Sequence, residues 1–138
     1  MKTQESPIQF INILFKESHI VFERPGNYSL NINFTPKGVV NKSLSQFLLN
    51  LKVNISDTDN AFHINIETES FFTYPQDADI EEYKNSFFIF NAPAIIFPYI
   101  RAYISNLTAL SGMPTLTLPT LNLSQLGETL KANIEIQE

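Results

Sequence analysis

From Ile8 to Tyr74 the apolar residues recur mostly at every second position, the period of a strand with one buried face. Ile8 and Phe10 set one phase, and Ile11, Ile13 and Phe15 set the other. A one-residue change of phase predicts a β-bulge. Ile20 and Phe22 carry the strand to a turn at Pro25-Gly26-Asn27. Tyr28, Leu30, Ile32 and Phe34 alternate cleanly, and Pro36, Lys37 and Gly38 are expected to break that strand. Phe47, Leu49, Leu51, Val53 and Ile55 alternate strictly up to a turn at Ser56-Asp57-Thr58-Asp59-Asn60. Phe62, Ile64 and Ile66 open a fourth strand that runs on to Phe72 and Tyr74. Four long strands joined by turns predict an antiparallel sheet with one packed face.

After Tyr74 the period changes. Asp77, Asp79, Glu81 and Glu82 load the start of a segment with acid, which favours a helix N-terminus. Asn91 reads as a second N-cap with Pro93 in the first turn. The helix it starts carries Ile96, Ile100, Tyr103, Ile104 and Leu107 at helical spacing and ends near Ser111-Gly112. The segment from Met113 to Leu121 is a Pro- and Leu-rich linker whose two prolines favour extended backbone. Asn122, with Gln125 three residues on, has the form of a capping box for a last helix with Leu123, Leu126 and Leu130 on one face. Gly127 is expected to weaken that helix by about 1 kcal/mol relative to Ala. The order predicts one α+β domain over residues 1–138, strands about 8–74 and helices about 79–135, with helices on one face of a four-stranded antiparallel sheet.

Composition narrows the chemistry. Fourteen acidic and nine basic residues give a net charge of −5, which argues against nonspecific binding to nucleic acid or anionic lipid. With no cysteine, disulfides, thiolate catalysis and Cys-based zinc sites are excluded. The stretch Met1 to Glu5 lacks the pattern of a signal peptide, and the run Ala92–Ile100, cut by Pro93 and Pro98, falls short of a membrane span. A cytoplasmic protein is the expectation. Six Asn-X-Ser/Thr sequons, at Asn27, Asn33, Asn41, Asn54, Asn106 and Asn122, then reflect an Asn-rich composition rather than glycans.

No constellation for catalysis emerges. His19 and His63 would make a poor metal site without a nearby carboxylate or thiolate. Asp57 and Asp59 lack the Gly and closing Glu of a calcium loop and read as turn formers. A phosphate-binding glycine loop and a Gly-X-Ser-X-Gly elbow are both missing. An enzyme is therefore not expected, nor a cofactor. Twelve Phe and five Tyr must instead serve a core, an oligomer interface or an apolar groove.

Two linked motifs point further. The first is Asn91-Ala92-Pro93-Ala94-Ile95-Ile96-Phe97-Pro98-Tyr99-Ile100-Arg101; the second runs from Gly112-Met113-Pro114 through Leu116, Leu118, Leu121 and Asn122 to Leu123. At this spacing they resemble the SecB family, and Ile20 to Pro25, Phe47 to Ile55 and Phe62 to Tyr74 resemble its strands. The resemblance implies a four-stranded antiparallel sheet backed by two helices and a homotetramer built as a dimer of dimers. It also implies a chaperone for protein transport and translocation, which binds unfolded preproteins in apolar grooves and passes them to SecA.

A chaperone with many clients needs apolar area and adaptable contacts. Met113, Leu116, Leu118 and Leu121 of the linker, Leu123, Leu126 and Leu130 of the last helix, and the rings of Phe97 and Tyr99 are the candidates for a client-binding groove. The bland alternative is a core role, open for Phe97, for Leu116 and Leu118, and for the three helix leucines. Tyr103, Asn106 and Leu107 are candidates for an oligomer interface, and Arg101 for an ion pair, a subunit contact or a solvated position. Glu23 is the residue the resemblance offers for docking on SecA. His19 and Asn65 stand at two other positions where the family has acids, and the sequence stops at Glu138 without a long acidic tail. Three readings follow: an export holdase, a SecB-like chaperone dedicated to one client such as an antitoxin, and an oligomeric β-rich interaction module that ignores unfolded chains.

Overall fold

A computed structural model describes residues 3–27 and 29–138. Tyr28, which the alternation places in the second strand, and Met1 and Lys2 lie outside the described residues. The sheet is built from β1 (Gln9–Phe22), β2 (Leu30–Asn41), β3 (Gln46–Asp57), β4 (Phe62–Thr73) and β5 (Ile134–Gln137), in the order β1-β4-β3-β2-β5. The first four are antiparallel, and β5 lies parallel to β2. The α+β reading holds, with two corrections: the sheet has a fifth strand, and the last helix stops short of it.

The expected bulge in β1 falls at Ile11, between Phe10 opposite Phe72 and Asn12 opposite Phe71. Ile11 itself is exposed, while Ile13 and Phe15 are half-buried. A second bulge at Lys16 restores the phase, so that Ser18, Ile20 and Phe22 meet the core row Ile66, Ile64 and Phe62.

Pro36, Lys37 and Gly38 do not break β2. Pro36 pairs in register with Leu51 and the strand runs on to Asn41. Gly38 N–H donates away from β3, to Asn133 O at 3.0 Å. By the two-residue alternation the missing N–H of Pro36 points out of the same edge, where it costs no bond to β3. Gly38 is required by close packing: a Cβ there would lie 2.9 Å from the Phe47 ring and 3.2 Å from Ile134.

The helices cover one face. Asp79 caps α1 (Ile80–Lys84) by accepting from the N–H groups of Glu81 and Glu82. A π-helical turn, Phe87–Asn91, then feeds α2 (Ala92–Leu110) without interruption. Asn91 is therefore not a cap: its backbone is helical and its side chain caps nothing, because Ala92 N–H already bonds to Phe87 O. Prolines 93 and 98 do not divide this run, and Ile80–Leu110 is, among the described residues, a 31-residue helical stretch apolar enough by composition to cross a membrane. Its apolarity has a local cause, since Ile96, Ile100 and Ile104 are fully buried in the core with Phe47, Leu51, Val53 and Ile64. Gly112, at φ 84°, ends α2.

The last helix, α3 (Ser124–Lys131), starts without the expected capping box. Asn122 Oδ1 accepts from Ser124 N–H at 3.0 Å and Leu123 occupies the cap position. Gly127 is a packing requirement rather than a weak point, because a Cβ there would lie 2.7 Å from Ile89 O.

Most rings are structural. Phe88 stacks on Phe47 with centroids 4.3 Å apart and meets Tyr74 and Tyr83 edge-on. Burial raises the ionisation of the Tyr74 and Tyr83 hydroxyls above the usual tyrosine range.

Candidate functional site

Where α2 ends, the linker 113–123 turns back and runs along the helix instead of into solvent. Three polar side chains of α2 hold it. Arg101 Nε donates to Leu118 O at 3.0 Å, and Ser105 Oγ donates to Leu116 O at 3.1 Å. Thr108 Oγ1 accepts from Leu116 N–H at 2.9 Å and donates to the carbonyls of Ile104 and Ser105. Residues 101, 105 and 108 share one helix face by their spacing. The extended linker therefore has backbone bonds that its own conformation could not supply.

Pinned this way, the linker stands off from β2 and leaves an open groove of about 620 Å³. Its walls are Leu30 and Ile32 of β2 on one side and Thr115, Leu116, Thr117, Pro119 and Leu121 on the other. Leu30 and Ile32 are half-buried although they belong to the core-facing row of β2. Farther along that row, Pro36, Gly38 and Val40 are buried. The core row thus emerges from under the helices at the start of β2 and becomes a groove wall.

Of the candidate groove residues, the structure brings Leu121, half-buried, and Leu116, itself buried at 4% exposure, to this site. Met113, Leu118, Leu126 and Leu130 are buried within the protomer, and Leu123 is half-buried. Phe97 is nearly buried, edge-on to Phe34 with centroids 6.4 Å apart. Tyr99 is 48% exposed and packs on Phe10, toward the β1 side of the sheet. Leu30 and Ile32 are groove residues that the alternation alone assigned to the core. Pro36 carried the available signal, since a proline inside a strand marks an edge.

The candidate interface residues lie on α2. Tyr103 is half-buried, stacks on Phe15 with centroids 3.8 Å apart and hydrogen-bonds Ser18. Asn106 is exposed and Leu107 half-buried.

The opposite face of the sheet is polar. A shallow depression of about 590 Å³ is lined by Lys16, Glu17, His19, Lys52, Asn54, Asn65 and Glu67, among others. The Asn50 side chain donates to Glu67 Oε2 at 2.8 Å, and this bond, helped by the charges of Lys16 and Lys52, holds the Glu67 carboxyl below its ordinary range. His19 and His63 stack across β1 and β4 with ring centroids 6.1 Å apart, and His19 stands opposite Asn65 in register. Among the described residues, no group of three His, Cys, Asp or Glu side chains is arranged to hold a metal ion. Glu23 is exposed just past the end of β1, with its N–H bonded to Ala61 O at 2.9 Å.

Comparison with known proteins matches residues 14–133 to the family described as preprotein translocase subunit SecB. An uncharacterized protein of Methanocaldococcus jannaschii is 26% identical over 95% of this chain and 92% of its own length. The protein-export protein SecB of Anaplasma phagocytophilum is 29% identical over 62% of this chain and 57% of its own length. Among solved structures, the Mycobacterium tuberculosis SecB-like chaperone in complex with an antitoxin peptide superposes with a TM-score of 0.71 at 20% identity, covering 84% of this chain and 88% of that one. A Streptococcus agalactiae protein of unknown function superposes with a TM-score of 0.53 at 10% identity, covering 82% of this chain and 97% of that one.

Proposed function

The chain belongs to the SecB family, and on that premise we propose that it is a chaperone that holds extended segments of unfolded polypeptide in the linker groove, with no catalytic step. The observation that carries the reading is the groove between Leu30 and Ile32 of β2 and Leu116, Pro119 and Leu121 of the pinned linker. Apolar side chains on both walls accept many sequences, because affinity then scales with buried area, about 25 cal/mol per Å² of apolar surface. Tyr99 and Leu123 offer further accessible apolar surface. Met113, Leu118, Leu126, Leu130 and Phe97 are buried and are left to the core.

The proposed setting is the cytoplasm, and the proposed assembly a homo-oligomer joined through α2, with Tyr103, Asn106 and Leu107 at or beside the contact. In the export version of this role the loaded chaperone docks on SecA through the polar sheet face, where Glu23 supplies an acid. A second reading, a chaperone dedicated to one client such as an antitoxin, is favoured by one observation. His19 and Asn65, side by side on that face, stand at two positions where the resemblance calls for acids, although Glu17 and Glu67 lie beside them.

Calorimetry at fixed salt against a slow-folding protein tests the general holdase against the dedicated chaperone. Binding to the unfolded form and not to the native form is the expected outcome. Equal affinity for both forms removes the chaperone reading, and no binding to either removes the general holdase and favours a dedicated client or a purely structural role.

A further inference from the structure

β5 shows what the edge of β2 binds. Its four residues lie parallel to Gly38–Asn41, with Ile134 and Ile136 opposite the core-facing Gly38 and Val40. Glu135 and Gln137 fall on the outer face, opposite Val39 and Asn41. Gly38 N–H donates to Asn133 O at 3.0 Å and Lys42 N–H to Gln137 O at 2.9 Å. The segment seated on this edge is thus an extended chain with apolar residues at every second position.

Among the described residues, no strand pairs with the same edge from Leu30 to Lys37. β5 pairs only with Gly38–Asn41. Because the N–H groups of Gly38 and Lys42 point outward, the two-residue alternation sends the backbone polar groups of Leu30, Ile32 and Phe34 out of that edge too. Pro36 leaves a single missing donor in the row. These outward groups belong to the same residues, Leu30 and Ile32, whose side chains make one wall of the linker groove.

Little holds β5 in place. Glu135, Ile136, Gln137 and Glu138 are all exposed. The Lys42–Glu138 ion pair, at 3.5 Å, is solvated on both sides and contributes little. A short, exposed parallel strand belongs to the least stable part of a fold.

We propose that β5 is a displaceable self-occupant of a strand-addition edge. An extended polypeptide with alternating apolar residues pairs with Leu30–Phe34, and a longer one runs on over Gly38–Asn41 by displacing β5. This rests on the chaperone reading and adds the mode of binding to it: main-chain pairing gives affinity without sequence, and the groove receives every second side chain. β5 then competes with long clients, lowering affinity by the fraction of time it occupies the edge.

The test uses the absence of native cysteine. Val39 and Glu135 face each other across β2 and β5 on the outer face, so Val39→Cys with Glu135→Cys locks β5 when oxidised and frees it when reduced. Both states are titrated with a carboxymethylated protein that stays unfolded and with a short alternating Ile-Thr peptide of about six residues, the span of the open edge. The unfolded protein is expected to bind the oxidised state about tenfold more weakly than the reduced state, with the short peptide indifferent to the lock. The single variant Glu135→Pro, which removes an N–H that the alternation points at β2, is expected to bind the unfolded protein more tightly than the unmodified chain. Equal affinity of the unfolded protein for both redox states, or loss of the short peptide on oxidation, overturns the proposal and leaves the chaperone reading intact. If the reduced state binds no unfolded protein, the general holdase and the proposal fall together.

Discussion

Two residues show how local preference yields to packing. Gly127 lies inside a helix, where alanine is intrinsically better by about 1 kcal/mol. A Cβ at that position would press within 2.7 Å of Ile89 O, a backbone atom that cannot swing aside. Gly127→Ala is therefore expected to destabilise by about 1–3 kcal/mol in urea unfolding, the usual cost of overpacking, against the sign that propensity alone gives. Thr108 is buried and satisfies three backbone groups at once. Thr108→Val keeps the shape but leaves Leu116 N–H unpaired, at an expected cost of about 1–3 kcal/mol and with faster amide exchange at Leu116. Tyr74 and Tyr83 give a pH dependence. Burial raises both folded-state pKa values above the ordinary 10.0. Their contribution is full below that value and is lost as pH climbs through the raised folded-state values. Stability is expected to decline above about pH 10, and Tyr74→Phe with Tyr83→Phe should shallow that decline.

At the scale of elements, the decisive arrangement is α2 holding the linker. The linker was legible in the sequence as extended and apolar, because Pro114 and Pro119 bracket leucines at spaced positions. What the pattern cannot reveal is depth. Leu118 is fully buried and Leu116 nearly so, whereas Leu121 keeps accessible surface in the groove. Leu118→Ser is expected to destabilise the fold by at least about 2 kcal/mol, as cavity-forming core substitutions do. Leu121→Ser should weaken client binding severalfold with little change in the urea midpoint. Similar loss of stability in both variants would make the linker core throughout.

The strands illustrate the same limit. β3 and β4 were readable to within two residues because burial on one face imposes strict alternation, although Ser56 and Asp57, read as turn, end β3. β5 was not, since two isoleucines in four residues are indistinguishable from a helix end, and only the β2 edge turns them into a strand. The second bulge, at Lys16, was hidden because its neighbour Glu17 keeps the outer face polar. Arg101 was open as an ion-pair, subunit-contact or solvated residue and Ser105 and Thr108 carried no signal; the returning linker gives all three a backbone partner.

Across the whole molecule, α2 presents one ridge that this chain does not cover. Ala94, Pro98, Ala102, Asn106 and Leu110, each four residues apart, are all exposed, and Leu110 is 88% exposed. With Ala94 and Ala102 in it, such an i±4 ridge lets a second helix approach closely there. Ala102 sits at the centre. Ala102→Arg puts a long charged side chain there, so a homo-oligomer joined through α2 is expected to sediment as a smaller species. Far-UV circular dichroism should not change, because Ala102 is exposed on α2. The groove walls come from a single chain, Leu30 and Ile32 with Leu116 and Leu121. A short alternating peptide should therefore bind the smaller species as well as it binds the parent. A long unfolded client, which spans several grooves of an assembly, should lose affinity by tenfold or more, about the lower end of what linked sites add. If the Ala102→Arg protein keeps the parent's mass, the contact between copies lies elsewhere, and the long-client affinity should then match the parent's. If its mass falls and long clients bind unchanged, a single groove carries the whole affinity.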